Sequence, residues 1–421
     1  MHPLTKTIRM RINILMRYSL LSGLLLFISF SAFAQNEPVS TYIGQDLNTI
    51  TSAVPFLQIA PDARAGGMGE AGVSSLPDAN SLHWNPAKYT YIEKEMGFAL
   101  SYSPWLRALV SDINLAYLTG YRKLANDQVI AGSLLYFSLG NITFTNIVGE
   151  TIGDYRPNEF ALSGAYARKL TKNLSGAVSA RYIHSNLTQG QSSGSASTKP
   201  GNSIAADIAL YSQHDIEFQN IEGFFAWGLN ISNIGSKISY SDDNTERDFI
   251  PTNLRIGPSL TLDIDDYNRL TFMLDVNKLL IPTPPKYAVD SITGFPILDD
   301  NNKQIVAKGK NPDVGVPMGM LQSFYDAPNG FKEEMRELAF AVGVEYWYDK
   351  QFAVRAGYFY EDRYKGNRKF FTLGAGLRYN VFGLDFSYLI PTGGQAANPL
   401  ANTLRFTLHF DFDAFKAQNE K

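Results

Sequence analysis

The stretch Thr403-Leu-Arg-Phe-Thr-Leu-His-Phe-Asp-Phe-Asp413 decides the fold class. Leu404, Phe406, Leu408, Phe410 and Phe412 fall on one face of an extended chain; Arg405, Thr407, His409, Asp411 and Asp413 fall on the other. A period of two means a strand, because successive side chains of a strand point to opposite sides of the sheet. In a soluble sandwich the apolar face would be the inner one. Here the apolar face is rich in aromatics and the opposite face carries Arg, His and Asp, which is the lipid-out, polar-in pattern of a transmembrane barrel. Two upstream runs repeat it. Phe371, Leu373, Ala375, Leu377 and Tyr379 oppose Thr372, Gly374, Gly376 and Arg378. Phe352, Val354, Ala356, Tyr358 and Tyr360 oppose Gln351, Arg355 and Gly357.

Composition agrees with this reading. Aromatic residues make up 13% of the 421-residue chain and charged residues 18%, below the roughly 25% charge usual in soluble domains. A mean hydropathy of −0.14 is too polar for a bundle of membrane helices but suits strands that are half apolar. With no cysteine, disulfides and thiolate metal sites are excluded. A net charge of −3 and a pI near 6.0 give no sign of nucleic-acid binding.

About fourteen alternating runs follow one another: 96–103, 111–122, 128–139, 159–170, 173–185, 202–212, 223–232, 252–262, 268–279, 337–348, 351–361, 369–379, 381–390 and 403–413. Their lengths suit tilted spanning strands. The spacing predicts an all-β transmembrane fold, an antiparallel outer-membrane β-barrel of about fourteen strands over 96–413. The connections support the count, since such barrels have short turns on one side and long loops on the other. One set reads 124–127, 171–172, 213–222, 263–267, 349–350 and 380, short in all but one case. The other reads 104–110, 140–158, 186–201, 233–251, 280–336, 362–368 and 391–402. The longest, 280–336, is read as a loop without strands, with a Pro-rich start at Pro282, Pro284 and Pro285 and a helix over 317–325. Its Leu321, Phe324, Tyr325 and Phe331 fall outside the membrane pattern and are candidate partner-binding residues.

The N-terminal part is different. Arg9, Arg11 and Arg17 precede the apolar run 18–30, and Ala32-Phe33-Ala34 completes a secretory signal peptide over 1–34. That run covers thirteen residues, too few to span a membrane as a helix. Residues 35–95 then form a glycine-rich, aperiodic hatch or plug, expected at the periplasmic mouth of the barrel or inside it, with a helical turn or two near 52–59. Pro61, Arg64, Gly66, Gly67, Gly69, Asp78, Asn80, Trp84, Asn85 and Pro86 are its key residues. Closely spaced glycines let a backbone lie against another surface. Trp84 is a large anchor whose indole N–H needs a partner. A short polar tail, 414–421, ends the chain.

Little in the sequence points to catalysis or cofactors. Gly67-Met-Gly69-Glu-Ala-Gly72 matches the dinucleotide fingerprint in letters but has no βαβ unit around it. Asp263, Asp265 and Asp266 begin like a calcium loop but lack its later glycine and glutamate, so a solvated turn is the better reading. The five histidines show no ligand spacing, and no nucleophile elbow is present. No cofactor, metal or catalytic residue is expected. For the inward Arg181, Arg355, Arg378 and Arg405 two readings stand, a polar lumen lining or pairing with inward carboxylates such as Glu345 and Asp411; the second is favoured.

Ala60-Pro-Asp-Ala-Arg-Ala-Gly-Gly-Met-Gly69, Pro77-Asp-Ala-Asn80 and His83-Trp-Asn-Pro-Ala-Lys88 resemble the opening of the PorV family. So do Phe98-Ala-Leu-Ser-Tyr-Ser-Pro-Trp-Leu-Arg107, Asp112-Ile-Asn-Leu-Ala-Tyr-Leu118 and Tyr136-Phe-Ser-Leu-Gly140. These are outer-membrane barrels of the type IX secretion system of Bacteroidota. The shorter Asn-Pro-Ala core resembles the wider FadL-like barrels with an N-terminal hatch. The PorV resemblance implies a non-enzymatic protein in outer-membrane lipid that binds the C-terminal signal domains of secreted cargo. It implies the SprA translocon, the PorU sortase and PorZ as partners. The alternative is a FadL-type channel for hydrophobic small molecules.

Overall fold

The computed structural model describes residues 47–106, 112–145, 148–187, 198–218, 221–241, 247–290, 293, 295–300, 303–392 and 403–412. The expected signal peptide 1–34, hatch residues 35–46, the middle of the Ser/Gly-rich 186–201 connection and the tail 414–421 lie outside the described residues. The strands are β1 (Met96–Pro104), β2 (Asn114–Leu124), β3 (Gln128–Ser138), β4 (Ile142–Thr145), β5 (Thr151–Tyr155), β6 (Asn158–Lys169), β7 (Leu174–Asn186), β8 (Gly201–Phe218) and β9 (Ile221–Gly235). They continue with β10 (Asn253–Asp263), β11 (Asn268–Leu279), β12 (Lys286–Tyr287), β13 (Val306–Lys308), β14 (Ala339–Tyr348), β15 (Phe352–Tyr360), β16 (Lys369–Tyr379), β17 (Phe382–Pro391) and β18 (Leu404–Asp411).

Fourteen of them close one antiparallel barrel in the order β1-β18-β17-β16-β15-β14-β11-β10-β9-β8-β7-β6-β3-β2. Each alternating run of the sequence becomes one barrel strand. Closure leaves no free edge, because β1 pairs with both β2 and β18. The alternation has the expected sense: Phe406 and Leu408 face outward, while Arg405, Thr407 and His409 are buried. Exposed Tyr102, Tyr136, Tyr166, Tyr182, Phe352 and Tyr379 continue the outer apolar face around the wall.

Three expectations about connections are corrected. The 213–222 connection is not a loop: β8 runs to Phe218 and pairs with β9 as far as Phe218↔Ile221. Past Gln213 β8 has left β7 and pairs with β9 alone, and residues 213–218 are all at least partly exposed, so the alternation that marks a strand in sequence is lost. The 280–336 loop does contain strands, the ribbon β12–β13, together with helices Val316–Gln322 and Phe331–Arg336. A two- or three-residue strand leaves no periodic signal. The 140–158 connection likewise carries the hairpin β4–β5. Two irregularities lie in the described wall: the β8–β9 register shifts by one residue between Ala206 and Ile208, and the β10–β11 ladder is interrupted. The β10–β11 ladder skips Gly257 and Pro258, because proline has no N–H to give.

Of the two expected positions, mouth or interior, the described part of the N-terminal segment takes the interior. Asn48, through its backbone N–H, bonds Tyr364 and, through its side chain, bonds Pro284 and Glu333 at the long-loop end. Val54, Phe56 and Leu57 pack on Leu115, Leu135, Phe137 and Ile183 of the inner wall. Met68 and Ala71 pack on Met273, Ala341, Phe359 and Phe370. Leu82, Ala87 and Tyr89 reach Tyr121, Val129 and Ala177 near the short-turn end. The segment threads the lumen lengthwise before β1 begins. The short helical piece near 52–59 is the 3-10 turn Pro55–Gln58.

Candidate functional site

Backbone approach fixes the plug at its glycines. Gly69 has φ +67°, and a Cβ there would lie 2.6 Å from the Tyr358 nitrogen. Gly357 of β15 is its counterpart: a Cβ on it would sit 2.0 Å from the Gly69 nitrogen. Only two facing glycines allow the chains this close. The Gly69 N–H donates to Thr372 at 2.8 Å, and Gly67 rests on Gly374. Gly66 is crowded by Arg405 and Ser387.

Side chains supply the remaining bolts. Asp62 follows Pro61 and caps the turn Ala63–Gly66 by accepting from the Ala65 N–H at 2.9 Å. Its other oxygen takes the Trp84 indole N–H at 2.6 Å. Arg255 lies over the other part of that anchor, its guanidinium 4.5 Å from the indole centroid. Asn85 accepts from Ala87 and donates to the Val73 and Leu210 carbonyls, so Asn85 and Pro86 start the turn Pro86–Tyr91 while holding β8. From the wall, Asp275 accepts from both the Gly72 and Val73 N–H groups at 2.7 and 2.8 Å. Burial pushes the Asp62 carboxyl up, and nearby Asp78 adds to this. Burial also draws the Lys88 ammonium down to about 8 while it donates to the Gly72 carbonyl and Ser75.

A chain of charge runs from plug to wall. Arg64 grips Glu345 of β14 with two nitrogens, at 2.9 and 2.7 Å, and Asp78 at 3.0 Å. Glu345 also takes Arg355 at 2.7 Å, and Arg355 continues to Asp385 at 2.9 Å. Asp385 gathers Arg378 and His409 as well, each at 2.7 Å. Arg405 reaches Glu70 of the plug at 2.7 Å. Arg181 pairs with Asp207 at 3.0 Å. The inward arginines therefore pair with carboxylates. Their partners are Glu345, Asp385, Asp207 and Glu70. Asn80 is buried, yet its side-chain amide finds no hydrogen bond among the described residues; nothing in the structure explains its choice. His83 packs edge-on against Trp84 and Tyr117.

The long-loop end is built differently. Lys278 at the end of β11 holds Glu334 and Glu337 at 3.2 and 2.6 Å, and Lys365 holds Glu333 and Glu337 at 2.7 and 3.0 Å. Thr283 donates its hydroxyl to Glu337 and its N–H to Asp326. On this frame the four predicted partner residues stand out: Leu321 is 64% exposed, Phe324 50%, Tyr325 54% and Phe331 79%. Met318 and Met335 extend the same exposed apolar set.

The sequence pattern of one family, described as "Type IX secretion system protein PorV", matches residues 43–286, more than half of the chain. The chain belongs to the PorV family. With the closed fourteen-stranded wall, this makes it an integral β-barrel of the outer membrane and a component of type IX secretion. In barrels of this membrane the short turns face the periplasm and the long loops the outside. No curated protein matches the chain. Among solved structures it is similar to the Pseudomonas putida toluene transporter TodX, at 9% identity and TM-score 0.44, over 87% of this chain and 99% of that one. It is also similar to the Ralstonia pickettii toluene transporter TbuX, at 12% identity and TM-score 0.42, over 83% and 96%. A Pseudomonas aeruginosa FadL homologue matches at 12% identity and TM-score 0.40, over 84% and 99%. At such scores the fold rests on the strand pairing of the barrel itself, and no property passes from these transporters to this one.

Proposed function

We propose that this PorV-family barrel is a non-enzymatic carrier of secreted cargo. It binds the C-terminal signal domain of a secreted protein at the SprA translocon and presents it to the PorU sortase and PorZ. The observation that carries the reading is the pairing of a filled lumen with a rigidly framed outer loop. A folded domain has no passage beside the plug, so recognition falls to the outside. There Leu321, Phe324, Tyr325 and Phe331 form an exposed apolar set on buried ion pairs, and such patches mark partner surfaces. The threading of 53–92 through the barrel favours this reading over a channel for hydrophobic molecules. Changing Leu321, Phe324, Tyr325 and Phe331 together to serine should leave barrel assembly in the outer membrane unchanged. Capture of cargo C-terminal domains or of SprA should fall at least tenfold. Undiminished capture of both by that variant moves the recognition surface elsewhere.

A further inference from the structure

The plug does not fill the barrel completely. A cavity of about 80 Å³ remains in its long-loop half, lined among others by Gln58, His83, Asn253, Arg255 and Asn277 and by three carboxylates, Glu70, Glu337 and Glu361, each already held by a cation. That is room for a few waters or one small solute; an acyl chain or a sugar does not fit.

The wall of this cavity is rich in unused hydrogen-bond donors. Arg255 and Asn277 sit directly opposite each other on β10 and β11, and Arg255 Nε donates to Asn277 Oδ1 at 2.7 Å. The Trp84 indole holds the guanidinium flat. No carboxylate among the described residues lies within ion-pair distance of Arg255, and neither Nη makes a hydrogen bond there, unlike Arg181, Arg355, Arg378 and Arg405. Asn253 shares the inward face of β10 with Arg255, and its amide is likewise uncommitted. So are the Asn277 amide nitrogen and the His83 imidazole. Burial, and then the Arg255 and Arg181 charges, hold His83 well below its ordinary range, so it is neutral and offers one N–H.

Arg255 is half-buried, and its nearest counter-charges, Asp275, Glu70 and Asp62, act on it from beyond ion-pair distance, so its partial loss of water is not made good by a contact partner. A flat, indole-stacked fork with both Nη atoms free matches a carboxylate or a phosphate oxygen pair. We infer that this cavity is an anion site, taking one small carboxylate- or phosphate-bearing solute on Arg255 with Asn253, Asn277 and His83 around it. Because Arg255 also covers Trp84, the anion would sit against the main anchor of the plug.

The test uses the full chain purified in detergent in buffer free of both anions. Inorganic phosphate and acetate are titrated separately at constant ionic strength against chloride, followed by calorimetry and by tryptophan fluorescence. One saturating event per chain is expected from at least one of them, and which anion saturates names the source. Arg255→Gln should weaken binding at least tenfold. Asn277→Ala should weaken it as well, and decides the matter if the arginine variant fails to assemble. Lys350→Gln, on a short turn at the far end, should bind as the parent does. A linear, non-saturating response to both anions, or equal binding by parent, Arg255→Gln and Asn277→Ala, overturns the site.

Discussion

The plug and the outer loop 280–336 both rest on buried charge, yet they are held in opposite ways. The plug is fixed along its length by backbone: Gly69 against Gly357, Gly67 against Gly374, and the Asp275 carboxylate on two successive N–H groups. Its apolar side chains point into wall clusters. The loop is pinned at its base by two lysines and three glutamates, and its large apolar side chains remain half or more exposed. One region has spent its apolar surface on staying in place, and the other still has it available. With the apolar clusters of the inner wall already covered by the plug, apolar contact with a partner has to be made outside.

The largest effect should come from the charge chain that joins plug to wall. Glu345→Ala removes the carboxylate shared by two buried guanidinia, leaving Arg64 only Asp78 and Arg355 only Asp385, and removing one member of a buried pair costs up to roughly 3–5 kcal/mol. Protease in detergent should then trim 47–92 from the variant at a rate well above the parent, while the barrel still migrates as a folded band. Equal protection of the two would mean that glycine contacts alone hold the plug.

Trp84→Ala should come next, at about 3 kcal/mol, the low end for a buried aromatic, because the neighbouring cavity can admit water. It removes the bond to Asp62 and the surface under Arg255. A shift of the denaturant midpoint with an unchanged slope would show it. No shift would contradict the anchor role.

The smallest effect separates the two regions by pH. Burial lifts the Asp326 carboxyl to about 6, and Glu334 and Glu337 add to this, while Lys278 faces the same two glutamates. A carboxyl raised in the folded state stabilises it when protonated. That contribution is complete below the ordinary value of 3.8 and lost as pH rises through about 6. Limited proteolysis should cut the 280–336 loop more slowly at pH 5 than at pH 7.5, with plug protection unaffected. Asp326→Asn keeps an acceptor for the Thr283 N–H and should flatten that dependence. An unchanged pH dependence in the variant would assign it to another group.

How much of this was legible follows from periodicity. Strands such as β15, β16 and β18 face lipid on one side and lumen on the other, so alternation wrote them plainly. The projecting β8–β9 hairpin and the ribbon β12–β13 touch no such boundary and left no pattern. Within the plug, Arg64, Gly69, Trp84 and Asn85 were recognisable as unusual residues in an aperiodic stretch, but their partners were not. Glu345 lies 281 residues from Arg64, Thr372 lies 303 from Gly69 and Asp275 lies 203 from Gly72, and only closure of the barrel brings them near. Asp275 and Asp385 did carry a signal, a carboxylate in the inward phase of a spanning strand. The direction of the plug, from long-loop end to short-turn end, had none.

The most direct test of the account uses the absence of native cysteine. Single cysteines are placed at Phe331, on the exposed loop, and at Ala71, buried in the plug. Each variant is treated in cells with a short thiol-to-amine cross-linker while cargo is being secreted. The account predicts adducts with cargo C-terminal domains from Phe331→Cys and none from Ala71→Cys. Adducts from Ala71→Cys, with Phe331→Cys silent, would place the cargo inside the barrel and contradict it.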